Sequence, residues 1–180
     1  MDLPARLKPV FVRVANAPSM LSFCVFLLLA VVATFPGVVK ISSALIGAPE
    51  GDSYEMMWLM WWLRRALVDV NLSIADIPLL LYPSGLSFSV LRTQVGAHLL
   101  ALPVVALSSP SVAFNTAMIA SLVFSGMTAY WLGLALTGSR LAAALCGLVW
   151  AFFPNKMGHA LAGHLYQVAV FWLPLFCLSL

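Results

Sequence analysis

Residues that could do chemistry fall into two polar stretches of this chain. The first lies between residues 40 and 94, carries most of the charge and includes Asp52 and Arg92. The second contains Lys156, His159 and His164. A carboxylate can accept a proton or bind a divalent cation, and basic side chains bind anions such as phosphate. These two stretches are therefore the candidate functional regions, and the elements around them must position them.

The composition predicts a membrane protein. Of the 180 residues, 63% are hydrophobic and only 8% are charged, whereas a soluble domain is about half apolar and about a quarter charged. Too little polar surface remains to cover a water-soluble globule, and the same values exclude a disordered or collagen-like chain. Six Trp and eleven Phe suit a polytopic bundle of helices anchored at the bilayer interfaces.

The net charge of +3 does not indicate a nucleic-acid-binding protein. The nine Lys and Arg residues are scattered between apolar runs instead of forming one basic stripe, and cytoplasmic loops or anionic lipid explain them better. The cysteines, Cys24, Cys146 and Cys177, each lie within an apolar stretch. We expect them to be small buried hydrophobic residues, because no spacing suggests a metal site or a disulfide.

The N-terminal part of the chain predicts a cytoplasmic tail and a first membrane span. Residues 1–19 are polar and basic. Residues 20–39 form a twenty-residue run that contains no charged residue, and this run is long enough to cross a bilayer. A cleaved signal peptide is the competing interpretation, but the apolar run is long and no clear cleavage site follows it. The basic residues before the span place the N-terminus in the cytoplasm.

Residues 40–94 predict a large outer loop that contains an interfacial helix at 54–70. The core of this helix, MMWLMWWL, is eight residues long and too short to span. Asp52 or Ser53 can cap the helix, and Asp52 with Glu55 resembles a capping box. Arg64 and Arg65 at the far end suggest anchors for lipid headgroups.

Residues 95–180 predict further membrane helices. Val95–Leu107 is short and contains His98 and Pro103, so we expect a re-entrant or interfacial segment. Val112–Leu136 has the length of a full span, a tight turn at 137–140 follows, and Leu141–Phe153 ends before Pro154. The final apolar run has no polar tail after it, and we therefore expect that the chain is the truncated N-terminal part of a longer protein.

Two topologies remain open from the sequence. If residues 95–107 do not cross the membrane, the patch around His159 and His164 lies on the same outer face as Asp52, with Arg140 in the cytoplasm. If they do cross, the histidines face the cytoplasm and are separated from Asp52. The first arrangement agrees better with Arg140 as a cytoplasmic charge and with the thirteen-residue length of the segment.

Three strings give the chain a family resemblance: GDSYEMMWLMWWLRRAL at residues 51–67, LYPSG at 81–85 and FFPNKMGHALAGHL at 152–165. Together they resemble the N-terminal half of bacterial C-type (GT-C) polytopic glycosyltransferases, which use polyprenyl-phosphate-linked sugars. The resemblance covers the chain from Met20 onward. It implies an integral protein of the bacterial cytoplasmic (inner) membrane that transfers a sugar to an extracytoplasmic acceptor.

The resemblance also implies roles for individual residues. Asp52 would be the catalytic carboxylate of the first outer loop, acting as a base or as the ligand of a divalent cation such as Mg²⁺ or Mn²⁺. Arg92 and Lys156 would contact the donor phosphate, with His159 and His164 on the substrate side. Because five residues separate the histidines, a straight helix does not place them on one face, and a two-histidine metal site is not expected.

Two other interpretations stay open. A transporter or flippase for a lipid or small hydrophobic solute would be indicated by charge paired between membrane helices. A non-catalytic membrane scaffold or inactive fragment would tolerate replacement of Asp52.

Overall fold

The computed structural model describes residues 19–48, 51–87 and 95–180, and most of these residues are helical. This confirms the all-α fold class. The helices are α1 (Ser19–Ala33), a 3₁₀ turn (Gly37–Lys40), α2 (Gly51–Val68), α3 (Val95–Leu107), α4 (Pro110–Thr137), α5 (Arg140–Phe152), α6 (Pro154–Leu161), α7 (Leu165–Val168) and α8 (Trp172–Ser179). Two-residue strands, β1 (Asp76–Ile77) and β2 (Leu86–Ser87), pair antiparallel as a small hairpin.

The long helix α4 is the centre of the fold, and its middle is buried on most sides. It begins after Ser109, whose hydroxyl accepts a hydrogen bond from the Val112 N–H, and Pro110 occupies the first turn, where its missing donor costs nothing. It ends at Gly138, which has φ 68°, a conformation that glycine adopts without strain. Ser139 then caps α5. The sequence predicted this turn at 137–140.

Glycines let α1, α4 and α5 approach closely. The ring of Phe26 on α1 packs against Gly126 on α4 and Gly147 on α5, and a Cβ atom at either glycine would overlap the ring. At Gly147 it would also lie 2.6 Å from the Gly126 carbonyl oxygen. Small residues at helix crossings are typical of bundles whose helices cannot be driven together by the exclusion of water.

Helix α2 differs from the predicted interfacial helix at 54–70. It begins three residues earlier, so Asp52 and Ser53 lie in its first turn instead of capping it. Its inner face is part of the hydrophobic core and includes the buried residues Met56, Met60 and Trp62. Sequence alone could not separate this arrangement from a membrane-seated face, because both bury apolar side chains.

The connection between α1 and α2 is fixed by one buried amide, that of Asn115 on α4. Its Oδ1 accepts from the Ile46 N–H at 2.8 Å, and its Nδ2 donates to the carbonyl oxygens of Ile41 and Ala44 at 2.8 and 2.7 Å. Asn115 thereby satisfies three backbone groups that form no regular secondary structure. This places residue 48, and the start of α2 after it, beside the N-terminal half of α4.

Two described segments are long and apolar enough to cross a membrane: Pro110–Thr137, and Arg140–Leu161 formed by α5 and α6 together. Helix α1 is shorter than the predicted span at 20–39, because it ends at Ala33 and a turn follows. Cys24, Cys146 and Cys177 are exposed and unbridged. The expectation that they are buried was wrong, since their helices turn apolar surface outward as well as inward.

Candidate functional site

The carboxylate of Asp52 lies against residues from the second polar stretch. The Tyr166 hydroxyl donates to Asp52 Oδ2 at 2.9 Å, and His164 Nε2 lies 3.6 Å from the same oxygen. The side chains of Asp52 and His164 keep 38% and 31% of their exposure, so the pair remains accessible to a ligand. The chain therefore brings its two polar stretches together, as expected if residues 95–107 do not cross the membrane.

The backbone around Gly163 explains how these residues meet. The Ala48 N–H donates to the Leu161 carbonyl oxygen, and the Ser53 hydroxyl donates to the Ala48 carbonyl oxygen at 2.8 Å. Gly163 has φ 77°, and a Cβ atom there would overlap Ser53 Oγ. A glycine is thus required for the turn after α6 to press against the first turn of α2 and deliver His164 to Asp52.

His159 and His164 are also in contact, contrary to the expectation from a straight helix. Their Nδ1 atoms are 3.1 Å apart. Helix α6 ends at Leu161, and the turn at 162–164 folds the second ring back onto the first. The side-chain oxygen of Gln167 lies 3.1 Å from His164 Nδ1. The site thus contains five side chains, which we call the Asp52 cluster: Asp52, His159, His164, Tyr166 and Gln167.

The contacts within the Asp52 cluster define where its hydrogens lie. The Gln167 Oε1 atom can only accept, so the hydrogen of that contact lies on His164 Nδ1, and His159 Nδ1 is then an acceptor. The Nε2 atom of His164 faces the Asp52 carboxylate. The contact of His164 Nε2 with Asp52 is an ion pair only when both ring nitrogens of His164 carry protons.

Tyr166 remains a hydrogen-bond donor in this environment. Its pKa is raised above the ordinary value of 10.0, first because its hydroxyl donates to Asp52, then because of partial burial and the negative charges of Asp52 and Glu55. The phenol is therefore neutral at physiological pH. The Tyr166 hydroxyl and His164 both engage Oδ2, and within the described ranges the Oδ1 atom of Asp52 has no hydrogen-bond donor.

The described residues do not build a metal site of their own. Among them, no three His, Cys, Asp or Glu side chains are grouped so that they could hold a metal ion. His164 directs Nε2 at Asp52 and Nδ1 at His159 and Gln167, so its nitrogens are already engaged. Asp52 Oδ1 alone is too small a ligand set for Mg²⁺ or Mn²⁺. We derive no chemical step through a cation.

The structure contradicts the predicted phosphate contact at Lys156. This side chain is 1% exposed, donates from Nζ to Ser125 Oγ at 3.0 Å, and lies over the rings of Trp150 and Phe153. An ammonium enclosed in this way does not reach a ligand beside Asp52. The sequence could not show this burial, because Lys156 lies in the same polar stretch as the histidines that do face the site.

Arg92, the other predicted phosphate contact, lies outside the described residues. Arg64 and Arg65 are exposed on α2, and the Arg65 guanidinium lies 5.7 Å from the centre of the Trp61 ring. Exposed cations next to an indole suit the predicted role of headgroup anchors.

Sequence reasoning missed Tyr166, and it placed Gln167 in the second polar stretch without giving it a role. Both follow His164 within three residues, in the stretch GHLYQV. A usable signal was present, because Tyr and Gln are polar in an otherwise apolar run and lie next to a glycine that permits a sharp turn. Once the turn is recognised, the neighbours of His164 become candidates too.

Comparison of the chain with protein-family models, with curated proteins and with solved structures finds no match in any of the three.

Proposed function

We propose that the chain is part of a polytopic membrane glycosyltransferase of the GT-C type, located in the bacterial cytoplasmic membrane. It would transfer a sugar from a polyprenyl-phosphate donor to an extracytoplasmic acceptor. The observation that carries this proposal is the accessible Asp52 carboxylate, which Tyr166 and His164 hold by one oxygen. The other oxygen remains available for a substrate.

The geometry suits Asp52 as a general base. The acceptor hydroxyl oxygen forms a bond to the anomeric carbon of the donor sugar. The bond from that carbon to the phosphate oxygen breaks, and its electron pair leaves with the polyprenyl phosphate. Asp52 Oδ1 receives the hydroxyl proton. Hydrogen bonds to Oδ2 orient the carboxylate, so less freedom is lost when substrate binds.

The leaving phosphate is anionic, and protonated histidines beside it would supply positive charge. His164 Nε2 lies 3.6 Å from Asp52 Oδ2, and the Nδ1 atoms of His159 and His164 are 3.1 Å apart. A cation next to the departing oxygen stabilises the charge that develops there. We therefore assign the predicted phosphate contact to His159 and His164 instead of Lys156.

The surface of the helices supports a location in the membrane. Large apolar side chains are exposed along α1, α5 and α8, for example Leu28 (62%), Leu141 (73%) and Phe176 (58%). Soluble monomers do not expose apolar surface over three neighbouring helices. Of an apolar 18-residue window in Arg140–Leu161, only 22% is buried within the fold, whereas 61% of the corresponding window in Pro110–Thr137 is buried. The exposed apolar surface of Arg140–Leu161 therefore needs an apolar environment.

An apolar groove could hold the isoprenoid chain of the donor. It has a volume of about 500 Å³, lies between α4, α5 and α8, and is lined by residues such as Leu132, Val149 and Leu173. A polyprenyl chain is unsaturated hydrocarbon with methyl branches, and it would bury apolar surface in such a groove.

The test is consumption of the donor by the protein in proteoliposomes. Radiolabelled polyprenyl-phosphate-hexose and polyprenyl-phosphate-pentose donors are supplied with a membrane-lipid extract as the source of acceptor, and release of polyprenyl phosphate is measured. We expect the unsubstituted protein to consume a donor and Asp52→Asn to be about 100-fold slower or more, as is usual when a general base is removed.

Asp76→Asn is the matched control, because Asp76 is an exposed carboxylate of the hairpin, and we expect it to leave the rate unchanged. The proposal is wrong if Asp52→Asn retains the full rate of transfer. It is also wrong if the folded protein, with His164 in contact with Asp52, consumes none of the donors.

A second function is favoured by one specific observation, the buried contact between Lys156 on α6 and Ser125 on α4. A cation enclosed between membrane helices is typical of transporters. A transporter or flippase would lose transbilayer movement of a fluorescent polyprenyl-phosphate sugar on Lys156→Met, and Asp52→Asn would have no effect. The glycosyltransferase proposal predicts the opposite: Asp52→Asn abolishes activity, and Lys156→Met does not.

A further inference from the structure

A cavity of about 380 Å³ opens along α2, where its wall residue Glu55 lies one helical turn after Asp52. Its walls are Tyr54, Glu55, Trp58 and Leu59 on α2, with Leu80 and Leu86 contributed by the hairpin segment. The volume lies within the range of small-molecule pockets. None of these residues belongs to the Asp52 cluster, so the cavity is a separate feature of the fold.

The wall residues have the character of a sugar-binding surface. Two aromatic side chains, Tyr54 and Trp58, follow each other at i and i+4 on one side of α2. The face of an aromatic ring is electronegative, and it packs well against the weakly positive C–H groups on the face of a pyranose. Tyr54 is 52% exposed, so its ring is available.

The cavity adjoins the reactive carboxylate. Glu55 follows Asp52 by three residues on α2, which places both on neighbouring parts of one helix face. The negative charges of Asp52 and Glu55 both contribute to the raised pKa of Tyr166. A six-membered sugar ring in the cavity could therefore present a hydroxyl group to Asp52.

We propose that this cavity binds a pyranose, the acceptor sugar of the transfer reaction, between the aromatic rings of α2 and the hairpin. This inference rests on the proposed function, because only that function makes the bound sugar an acceptor. It adds the chemical class of the acceptor, a pyranose. The acceptor must approach Asp52 because this carboxylate takes its proton. The hairpin forms one wall, whereas the lipid-linked donor would occupy the apolar groove between α4, α5 and α8.

The experiment is saturation-transfer-difference NMR on the protein in phospholipid nanodiscs, which contain no sugar-based detergent. The probes are methyl glucoside, methyl galactoside and methyl mannoside. We expect signal transfer to the ring C–H protons of at least one probe. Tyr54→Ala should weaken its binding about five- to tenfold, as expected for the loss of one aromatic contact, and Tyr54→Phe should retain it.

Two matched controls separate the cavity from unspecific aromatic contacts. Tyr82 is 87% exposed in the hairpin turn, and Trp61 is exposed on α2; neither lines the cavity. Tyr82→Ala and Trp61→Leu should leave binding unchanged, while Trp58→Leu should weaken it. Absence of binding for all three probes would overturn the inference, and so would equal losses in Tyr54→Ala and Tyr82→Ala.

Asp52→Asn distinguishes failure of this inference from failure of the proposed function. We expect this variant to lose donor consumption and still to bind the glycoside, because the amide of Asn can also form a hydrogen bond with a sugar hydroxyl group. If no probe binds but Asp52→Asn abolishes transfer, the cavity is not the acceptor site and the proposed function stands. If a probe binds in the cavity but transfer persists in Asp52→Asn, the proposed function fails, and with it the role of the bound sugar as acceptor.

Discussion

The carboxylate of Asp52 is held asymmetrically. One oxygen, Oδ2, accepts from the Tyr166 hydroxyl and faces His164, while Oδ1 accepts a hydrogen bond from none of the residues that the structure describes. An exposed aspartate without such partners would rotate freely and would lose more entropy on binding. This asymmetry is the reason that we assign a chemical role to Asp52 and only a structural or solvent-exposed role to Asp69 and Asp76.

The first prediction concerns the titration of Tyr166. Because its pKa is raised, the absorbance change that Tyr166→Phe removes should occur above pH 10. Asp52→Asn should shift that change to lower pH, since the hydrogen bond to Asp52 is the largest cause of the shift. The measurement is ultraviolet absorbance of phenolate against pH for the unsubstituted protein and both variants.

The sign of the effect on stability follows from the same shift. The folded state holds the phenol proton more tightly than the unfolded state, so the contribution of Tyr166 is complete below pH 10 and is lost as pH rises through its folded pKa. The decline in stability above pH 10 should be smaller in Tyr166→Phe. An unchanged titration in Asp52→Asn would contradict the hydrogen bond.

At the scale of elements, the turn between α6 and α7 determines whether the site exists. Gly163→Ala would put a Cβ atom onto Ser53 Oγ at a positive φ, and we expect a loss of stability of about 2 kcal/mol or more. Thermal unfolding in detergent measures it. His164 should also move from Asp52, so donor consumption should fall together with stability.

Gly158→Ala is the matched control for this substitution. Gly158 lies in α6, just before the turn that contains Gly163, and an added Cβ atom there would meet no heavy atom within 4 Å. A helical alanine there should be neutral or should raise stability by about 0.5–1 kcal/mol. Equal destabilisation by both substitutions would show that the contact of Gly163 with Ser53 is not the cause.

The connection between α1 and α2 gives a second prediction at this scale. Asn115→Ala removes three hydrogen bonds to backbone groups of residues 41–46, and we expect about 2–5 kcal/mol of destabilisation. Asn155→Ala, at an exposed position of α6, should change stability by less than about 0.5 kcal/mol. A small effect of Asn115→Ala in thermal unfolding would contradict the role of this amide.

The sequence predicted the long elements better than their contacts. Apolar length, Ser109-Pro110 and Gly138 define α4 and the turn to α5, because each of these signals acts locally. The proximity of His159 to His164 and the burial of Lys156 were not predictable in this way. The first depends on where a short turn at Gly163 directs the chain, which packing against Ser53 and Ala48 decides, and the second depends on the packing of α6 against Ser125 on α4.

For the molecule as a whole, the proposed function requires that the two polar stretches lie on one face of a membrane. Helix α4 (Pro110–Thr137) carries Asn115, which holds the first connection, near its start and ends at Gly138, two residues before Arg140. The chain returns through α5 and α6 to His164. If Pro110–Thr137 and Arg140–Leu161 both cross the bilayer, Asp52 and His164 lie on one side and Arg140 on the other.

The most direct test is labelling of single cysteines with a membrane-impermeant maleimide in intact cells. Residues 52, 140 and 164 are replaced one at a time in a background without Cys24, Cys146 and Cys177. We expect labelling at 52 and 164, and labelling at 140 only after the membrane is permeabilised. Labelling of 52 and 140 with protection of 164 would separate Asp52 from His164 and contradict the single site on which the proposed function depends.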